Sequence, residues 1–141
     1  VELAAVGVVV VAGGSMVPDL DQKIPFISHR GITHTVWFAL LAGVALGGVG
    51  WYAGIELAPA AQLQLAGFGF LLGVVTIGAH ILADGLTPMG IRPFEPLGHG
   101  SYSLNLTRAA NPIGNGLLFV LGVLATGAAF YGGQTYAIPF L

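Results

Sequence analysis

The residues of this chain that can do chemistry are few, and they are concentrated in three short blocks between long apolar runs. Charged residues make up only 7% of the 141 residues. Ionisable groups at membrane depth are costly and usually functional, and carboxylates and imidazoles together are typical ligands of a divalent metal ion. The blocks therefore predict a metal site. Their acidic, histidine and arginine residues are Asp19, Asp21, His29, Arg30, His34, His80 and Asp84.

The first block, Pro18-Asp-Leu-Asp, carries two acids with one residue between them. In an extended segment, residues at this spacing face the same way. We therefore expect the carboxylates of Asp19 and Asp21 to face one hard or borderline cation together. The alternative is an interfacial loop with solvated acids.

The second block spans residues 29–35 and reads HRGITHT. On a helix its two histidines, five positions apart, would point in different directions, so Gly31 is expected to provide a turn that lets them converge. Thr33 or Thr35 can then cap the next helix. Arg30 offers a planar fork for phosphate or carboxylate. The alternative is a capping turn with incidental histidines.

The third block places His80 and Asp84 four residues apart. On a helix this spacing puts both side chains on one face, as in the paired histidines of zinc-binding helices. Thr76 continues this face and Thr87 closes it. A His–Asp hydrogen bond that only satisfies two buried groups is the alternative.

The elements that must position these blocks are apolar. The chain is 55% hydrophobic and contains 23 glycines. A helix needs roughly 20 residues to cross a hydrocarbon core of about 30 Å, and three runs approach or reach that length, while the first is a little short. We predict an all-α polytopic membrane protein, a single domain over residues 1–141 with a bundle of about four transmembrane helices, whose spans are residues 3–17, 36–55, 63–83 and 113–131.

Four spans in alternation put residues 18–35 and 84–112 on the same side of the membrane, so every polar block lies at one membrane face. The carbonyl ends of the first and third helices favour a cation there, and the amide ends of the second and fourth favour an anion. Basic residues mark cytoplasmic loops, so we predict a multi-pass protein of the plasma or inner membrane with the blocks on the cytoplasmic side. The basic residues are Lys23, Arg30, Arg92 and Arg108.

Composition also excludes some classes of site and partner. The chain has no cysteine, which excludes disulfides and thiolate metal ligands. Its net charge of −2 leaves no basic face for nucleic acid, so none is expected as a partner. The expected partners are membrane lipid and an oligomer or larger membrane complex.

The three blocks, at residues 18–21, 29–35 and 80–90, resemble the signature blocks of the YdjM-like family of inner-membrane proteins, which are assigned as metal-dependent hydrolases. The resemblance covers residues 10–96 and implies a multi-helix membrane protein of bacteria or archaea with hydrolase activity. The family often has His directly after its DxD, where this chain has Gln22. By position, the resemblance implies metal binding by Asp19, Asp21, His29, His34, His80 and Asp84, with Arg30 inside the second block.

The leading hypothesis is a membrane-embedded, metal-dependent hydrolase that acts on a phosphoester, for example in a lipid headgroup. Mixed nitrogen and oxygen ligands make zinc or manganese the first candidates, and such an ion activates water and polarises the bond to be cleaved. Asp21 or Asp84 can instead serve as the general base. Arg30, helped by Arg108, would neutralise charge that develops on phosphate.

The rival hypothesis is a noncatalytic membrane subunit, in which the same residues bind a structural metal or form a polar network for helix association. A catalytic site keeps an open coordination position, whereas protein ligands close a structural site. An ion or proton pathway is disfavoured because the middles of the predicted spans are almost bare of ionisable residues.

Overall fold

A computed structural model describes residues 2–135 of the chain, and regular structure within that range is helical. Two short 3-10 helices, Pro18–Lys23 and Ile32–His34, lie between the first two α-helices. No strand forms within residues 2–135, where the one isolated β-bridge joins Ile91 and Tyr102. The predicted all-α fold is confirmed. The four α-helices are α1 (Glu2–Gly14), α2 (Val36–Ala53), α3 (Pro59–Gly85) and α4 (Pro112–Thr135).

Three apolar helical segments are long enough, by length and composition, to cross a membrane: Leu3–Lys23, Val36–Ala53 and Pro59–Gly85. The apolar part of α4, Pro112–Ala128, is shorter. Most large apolar side chains on these helices point away from the rest of the chain, as they do on helices that face lipid. The structure agrees with the expected helical membrane protein, and the exact spans stay predictions.

Helices α2 and α3 pack as an antiparallel hairpin through glycines that allow close backbone approach. A Cβ on Gly73 would lie 2.5 Å from the carbonyl carbon of Ala42, and one on Gly54 would lie 2.7 Å from Cα of Gln62. Residue numbers therefore rise along α2 while those of the facing residues fall along α3, as in an antiparallel pair. Such small-residue interfaces are typical of helices packed in membranes.

Helix α1 runs parallel to α3 along its other side. The Cβ position of Gly7 faces Leu72, and that of Gly14 lies 3.0 Å from Thr76 Cγ2. Helices α1 and α3 therefore end at the same end of the bundle, where α2 begins. The chain order thus brings all three polar blocks to one end.

The segment that follows α3 folds back over this end. The backbone N–H of Val36 donates to the carbonyl of Pro93 at 2.9 Å, and Leu104 N–H donates to the Gly85 carbonyl at 2.8 Å. Ile91 from this segment joins a small buried core with Ala39, Ile77 and Ile81. This core lies at the end of the helices that carries the polar blocks, and it fixes their relative positions.

The glycine contacts predict different effects for two substitutions on the same helix. Gly73→Ala should destabilise the protein by about 1–3 kcal/mol, because overpacking forces the helices apart. Gly78→Ala should leave stability within about 1 kcal/mol of the parent, because nothing lies within 4 Å of its Cβ position. Thermal unfolding in detergent measures both variants. Equal stability of the two would contradict the packing described above.

Candidate metal centre

The structure brings the six predicted ligands and Arg30 into one cluster at the shared end of α1, α2 and α3. His34 is at its centre and has no exposed surface. Each nitrogen of its ring faces a different set of groups, so the cluster divides into two parts. We call the groups at Nε2 the inner cluster and those at Nδ1 the outer cluster.

The first block forms a 3-10 helix, Pro18–Lys23, with Pro at its first position. The prediction that Asp19 and Asp21 share an extended segment and face one way is therefore wrong. A 3-10 helix turns by about 120° per residue, since it has 3.0 residues per turn, so the two side chains diverge. Asp19 Oδ1 lies 3.6 Å from His34 Nε2, whereas Asp21 Oδ2 lies 3.4 Å from His34 Nδ1.

The second block forms the predicted turn, but by a different means. The left-handed backbone is at Arg30, with φ of 60°, and not at Gly31, whose φ is −84°. Glycine is needed here for space, because a Cβ on Gly31 would lie 2.7 Å from Ser28 Oγ. Of the two predicted caps, Thr35 accepts from Phe38 N–H at 3.2 Å and begins α2.

The inner cluster consists of four side-chain atoms: Asp19 Oδ1, His34 Nε2, His80 Nε2 and Asp84 Oδ2. The two histidine nitrogens lie 3.2 Å apart, and Asp19 Oδ1 lies 3.6 Å and 3.7 Å from them. Asp84 Oδ2 lies 3.3 Å and 3.8 Å from the same two nitrogens. Four atoms bonded to one tetrahedral zinc ion at about 2.1 Å lie about 3.4 Å from one another. Asp19, His34 and His80 therefore lie close enough together to hold a single ion, and Asp84 Oδ2 lies beside the same two nitrogens.

One atom of the inner cluster lacks the partner that burial normally requires. Asp84 Oδ2 is buried and accepts no hydrogen bond within the described residues. Buried polar atoms are almost always satisfied. His80 and Asp84 also share one face of α3, as their spacing predicted. An oxygen in this state, beside two imidazole nitrogens, can hold a cation.

The outer cluster is a hydrogen-bonded network around Asp21, which is 1% exposed. Its Oδ1 accepts from His29 Nδ1–H at 2.9 Å. Its Oδ2 accepts from the Arg30 backbone N–H at 3.1 Å and from the Thr33 hydroxyl at 2.7 Å. Asp21, His29 and His34 also lie close enough together to hold an ion. Both Asp21 oxygens, however, are already satisfied by the protein.

The two clusters fit together through the tautomer of His34. If Nδ1 carries the proton, it donates to Thr33 Oγ1 at 3.0 Å, and Nε2 offers its lone pair to the inner cluster. The Thr33 hydroxyl in turn donates to Asp21 Oδ2. Histidine ligands of metals commonly donate their second N–H to a group that fixes the ring. Asp21 would then orient His34 through Thr33, and the inner cluster would supply the ligands.

Arg30 is engaged inside the protein. Its guanidinium is 11% exposed and donates to Asp84 Oδ1 at 2.7 Å, Thr87 Oγ1 at 2.9 Å and the Gly90 carbonyl at 3.0 Å. The sequence reasoning missed the contacts with Thr87 and Gly90. The only available signal was the Thr-Pro-Met-Gly turn at residues 87–90, which gives no indication of Arg30 as its partner.

The cluster is open at one edge. The side chains of Asp19 and His29 are 44% and 35% exposed, while that of Asp84 is 15% exposed. Arg108, predicted to assist Arg30, instead lines a separate polar concavity with Asn105 and Asn111. The described lining of that concavity includes none of the cluster residues.

A model of the YdjM inner membrane protein family matches residues 2–138 of this chain. Comparison with curated proteins and with solved structures gives no match.

The geometry predicts different structural roles for the two acids of the first block. Asp21→Ala should destabilise the protein by about 2–4 kcal/mol, because it leaves three donors around a buried site unpaired. In metal-free protein, Asp19→Ala should have little effect on stability, since the one hydrogen bond that Asp19 accepts among the described residues is long, from Gln22 at 3.3 Å. Unfolding monitored by circular dichroism in detergent compares the two. A larger loss for Asp19→Ala would contradict the division into inner and outer clusters.

Proposed function

We propose that this chain, which belongs to the YdjM inner membrane protein family, is a membrane-embedded, metal-dependent hydrolase. The observation that carries the proposal is the inner cluster. Three blocks separated along the sequence place two imidazole nitrogens 3.2 Å apart, and two carboxylate oxygens lie 3.3–3.8 Å from these nitrogens. One of these oxygens has no hydrogen-bond partner within the described residues. A network built only for helix association gains nothing from an unsatisfied carboxylate.

The donor set favours zinc or manganese. Two imidazoles suit zinc, and carboxylate oxygens suit both zinc and manganese. When bound, the ion supplies Lewis acidity, which lowers the pKa of a coordinated water and polarises the bond to be cleaved. Asp19, His34, His80 and Asp84 would hold it.

The residues outside the inner cluster then have separate roles. Asp21 is buried and saturated with donors, so it holds His29 directly and His34 through Thr33, and it is a poor general base. Asp84 can serve as the general base only in place of ion binding, because Oδ2 is its one oxygen without a hydrogen bond among the described residues. His29 can also move a proton, because Asp21 fixes its Nδ1–H and leaves Nε2 as the basic nitrogen of a side chain that is 35% exposed.

Four protein ligands alone would close a tetrahedral site, so catalysis requires a further coordination position for water. The exposed edge at Asp19 and His29 supports a catalytic site, because water and a substrate would reach the ion there. The cluster lies at the end of apolar helices long enough to cross a membrane. A substrate that reaches it from the bilayer is an amphiphile with a polar headgroup, and we propose a phosphoester of a lipid. The basic residues of the loops support a cytoplasmic location for this edge.

The rival function, a noncatalytic membrane subunit, has one observation in its favour. The Asp21 network joins the first and second blocks through three hydrogen bonds that need no ion. In that case the inner cluster would hold a structural ion or none.

Metal content is the first test of the proposal. Purified wild-type protein should carry about one zinc or manganese ion per chain, and His80→Ala should lose it because one of four donors is removed. His99→Ala is the matched control, since His99 belongs to no candidate ligand group among the described residues. Elemental analysis by mass spectrometry gives the ratio. A metal-free wild type, or full retention in His80→Ala, would reject the metal site.

Activity distinguishes the catalytic from the structural interpretation. Phosphate release from a panel of phospholipids in mixed micelles should stop on chelation and return with zinc or manganese. Asp84→Asn should lower kcat by about 100-fold or more, since it removes an ion ligand or, in the alternative scheme, the general base. Turnover that survives both chelation and His80→Ala would sink the hydrolase proposal. Stoichiometric metal with no turnover on any lipid would favour the structural subunit.

A further inference from the structure

We propose that Arg30 is a positioning residue that aims Asp84 at the ion, and that it does not bind the substrate's phosphate. This inference rests on the proposed metal site and assigns to Arg30 a role different from the one its sequence suggests. It follows from where the three guanidinium contacts lie and from the one Asp84 oxygen that they leave unoccupied.

The contact with Asp84 determines which oxygen faces the inner cluster. Arg30 Nη2–H donates to Asp84 Oδ1 at 2.7 Å, a charge-assisted bond that holds the carboxylate in one orientation. The other oxygen, Oδ2, is left 3.3 Å from His34 Nε2. Without the arginine, the carboxylate could rotate about its terminal torsion, and its ligand oxygen would no longer be fixed.

The other terminal nitrogen of Arg30 binds the segment after α3. We call the three hydrogen bonds of this guanidinium the clamp. Arg30 Nη1–H donates to Thr87 Oγ1 at 2.9 Å and to the Gly90 carbonyl at 3.0 Å. The Thr87 hydroxyl in turn donates to the carbonyl of Asp84 at 2.7 Å. The guanidinium therefore holds the Asp84 side chain and the turn that follows it as one unit.

The backbone of Arg30 is shaped for this double role. Its φ of 60° is in the left-handed region, which non-glycine residues seldom occupy. In this conformation its N–H donates to Asp21 Oδ2 at 3.1 Å while its side chain reaches Asp84. One residue thus links the carboxylate that orients His34 to a carboxylate of the inner cluster.

The same contacts argue against a substrate role. Both terminal nitrogens already donate to the protein, and the side chain is 11% exposed. The remaining nitrogen, Nε, is buried and has no partner within the described residues. A phosphate would have to displace Asp84 to form a two-pronged contact with this guanidinium.

Zinc affinity of the full-length protein in detergent tests the inference. Arg30→Gln should weaken zinc binding by about 10–100-fold, the usual cost of losing a group that orients a ligand. Arg30→Lys should also weaken it, because one ammonium cannot reproduce the planar fork. Arg92→Gln is the control, since Arg92 is 59% exposed and lies 3.9 Å from its only ion-pair partner among the described residues, Glu95. Competition with a chromogenic chelator measures all four proteins.

A double-mutant cycle shows whether Arg30 acts through Asp84. In an Asp84→Asn background, Arg30→Gln should weaken zinc binding by less than about threefold, because the group it positions is gone. Full additivity of the two changes, or wild-type affinity in Arg30→Gln, would overturn the inference. An unchanged zinc affinity with a raised KM would instead assign Arg30 to the substrate.

Failure of the metal site and misfolding of the Arg30→Gln variant give different results. If wild-type protein binds no zinc or manganese, the proposed function fails and this inference fails with it. If the wild type binds zinc but Arg30→Gln does not fold, Thr87→Val carries the test, because it removes one acceptor of the clamp and leaves every charge in place. A several-fold weaker affinity in Thr87→Val supports the clamp, and an unchanged affinity rejects it.

Discussion

The burial of His34 is the constraint on which the rest of the site depends. A fully buried imidazole must satisfy both ring nitrogens within the protein, and here each nitrogen faces a different carboxylate-bearing side. Because two nitrogens of one ring point in divergent directions, they cannot serve one ion together. The ring therefore separates a saturated network around Asp21 from a set of donors that includes an unsatisfied oxygen.

This separation is produced by the helices and by one short turn. Glycines such as Gly73 let α2 and α3 approach at backbone distance, which brings His34, directly before the Thr35 cap of α2, against His80 near the end of α3. Helix α1 ends at the same place, and the 3-10 helix after it sends its two acids to opposite sides of His34. The close packing of the apolar helices thus positions the donor atoms of the inner cluster.

Much of this arrangement could be predicted from sequence, because it depends on regular periodicity. The apolar runs indicated the helices, and their alternation indicated that the polar blocks meet at one end. The spacing of His80 and Asp84 placed them on one helical face. Threonine is preferred at helix N-termini, and Thr35, one of the two threonines expected to cap α2, is its cap. Each of these features is local, or follows from the order of elements.

The remaining features could not be predicted, because one sequence pattern is compatible with several local conformations and does not identify distant hydrogen-bond partners. Residues two apart face the same way in a strand and diverge in a 3-10 helix, so the spacing of Asp19 and Asp21 had no unique meaning. Gly31 was expected to provide the turn of the second block, whereas the left-handed backbone of that turn is at Arg30. The partners of its guanidinium, Thr87 and Gly90, lie 57 and 60 positions away. Only the folded segment after α3 brings them within reach.

The position of a bound zinc ion distinguishes the inner cluster from the outer cluster as the metal site. Anomalous diffraction at the zinc edge, from crystals of the zinc-loaded protein, locates the ion without reference to activity. We expect one anomalous peak for zinc at bonding distance, about 2.0–2.2 Å, from Nε2 of both His34 and His80, with Asp84 as an oxygen ligand. A peak at His34 Nδ1 beside Asp21 and His29, or no peak near His34, would contradict it.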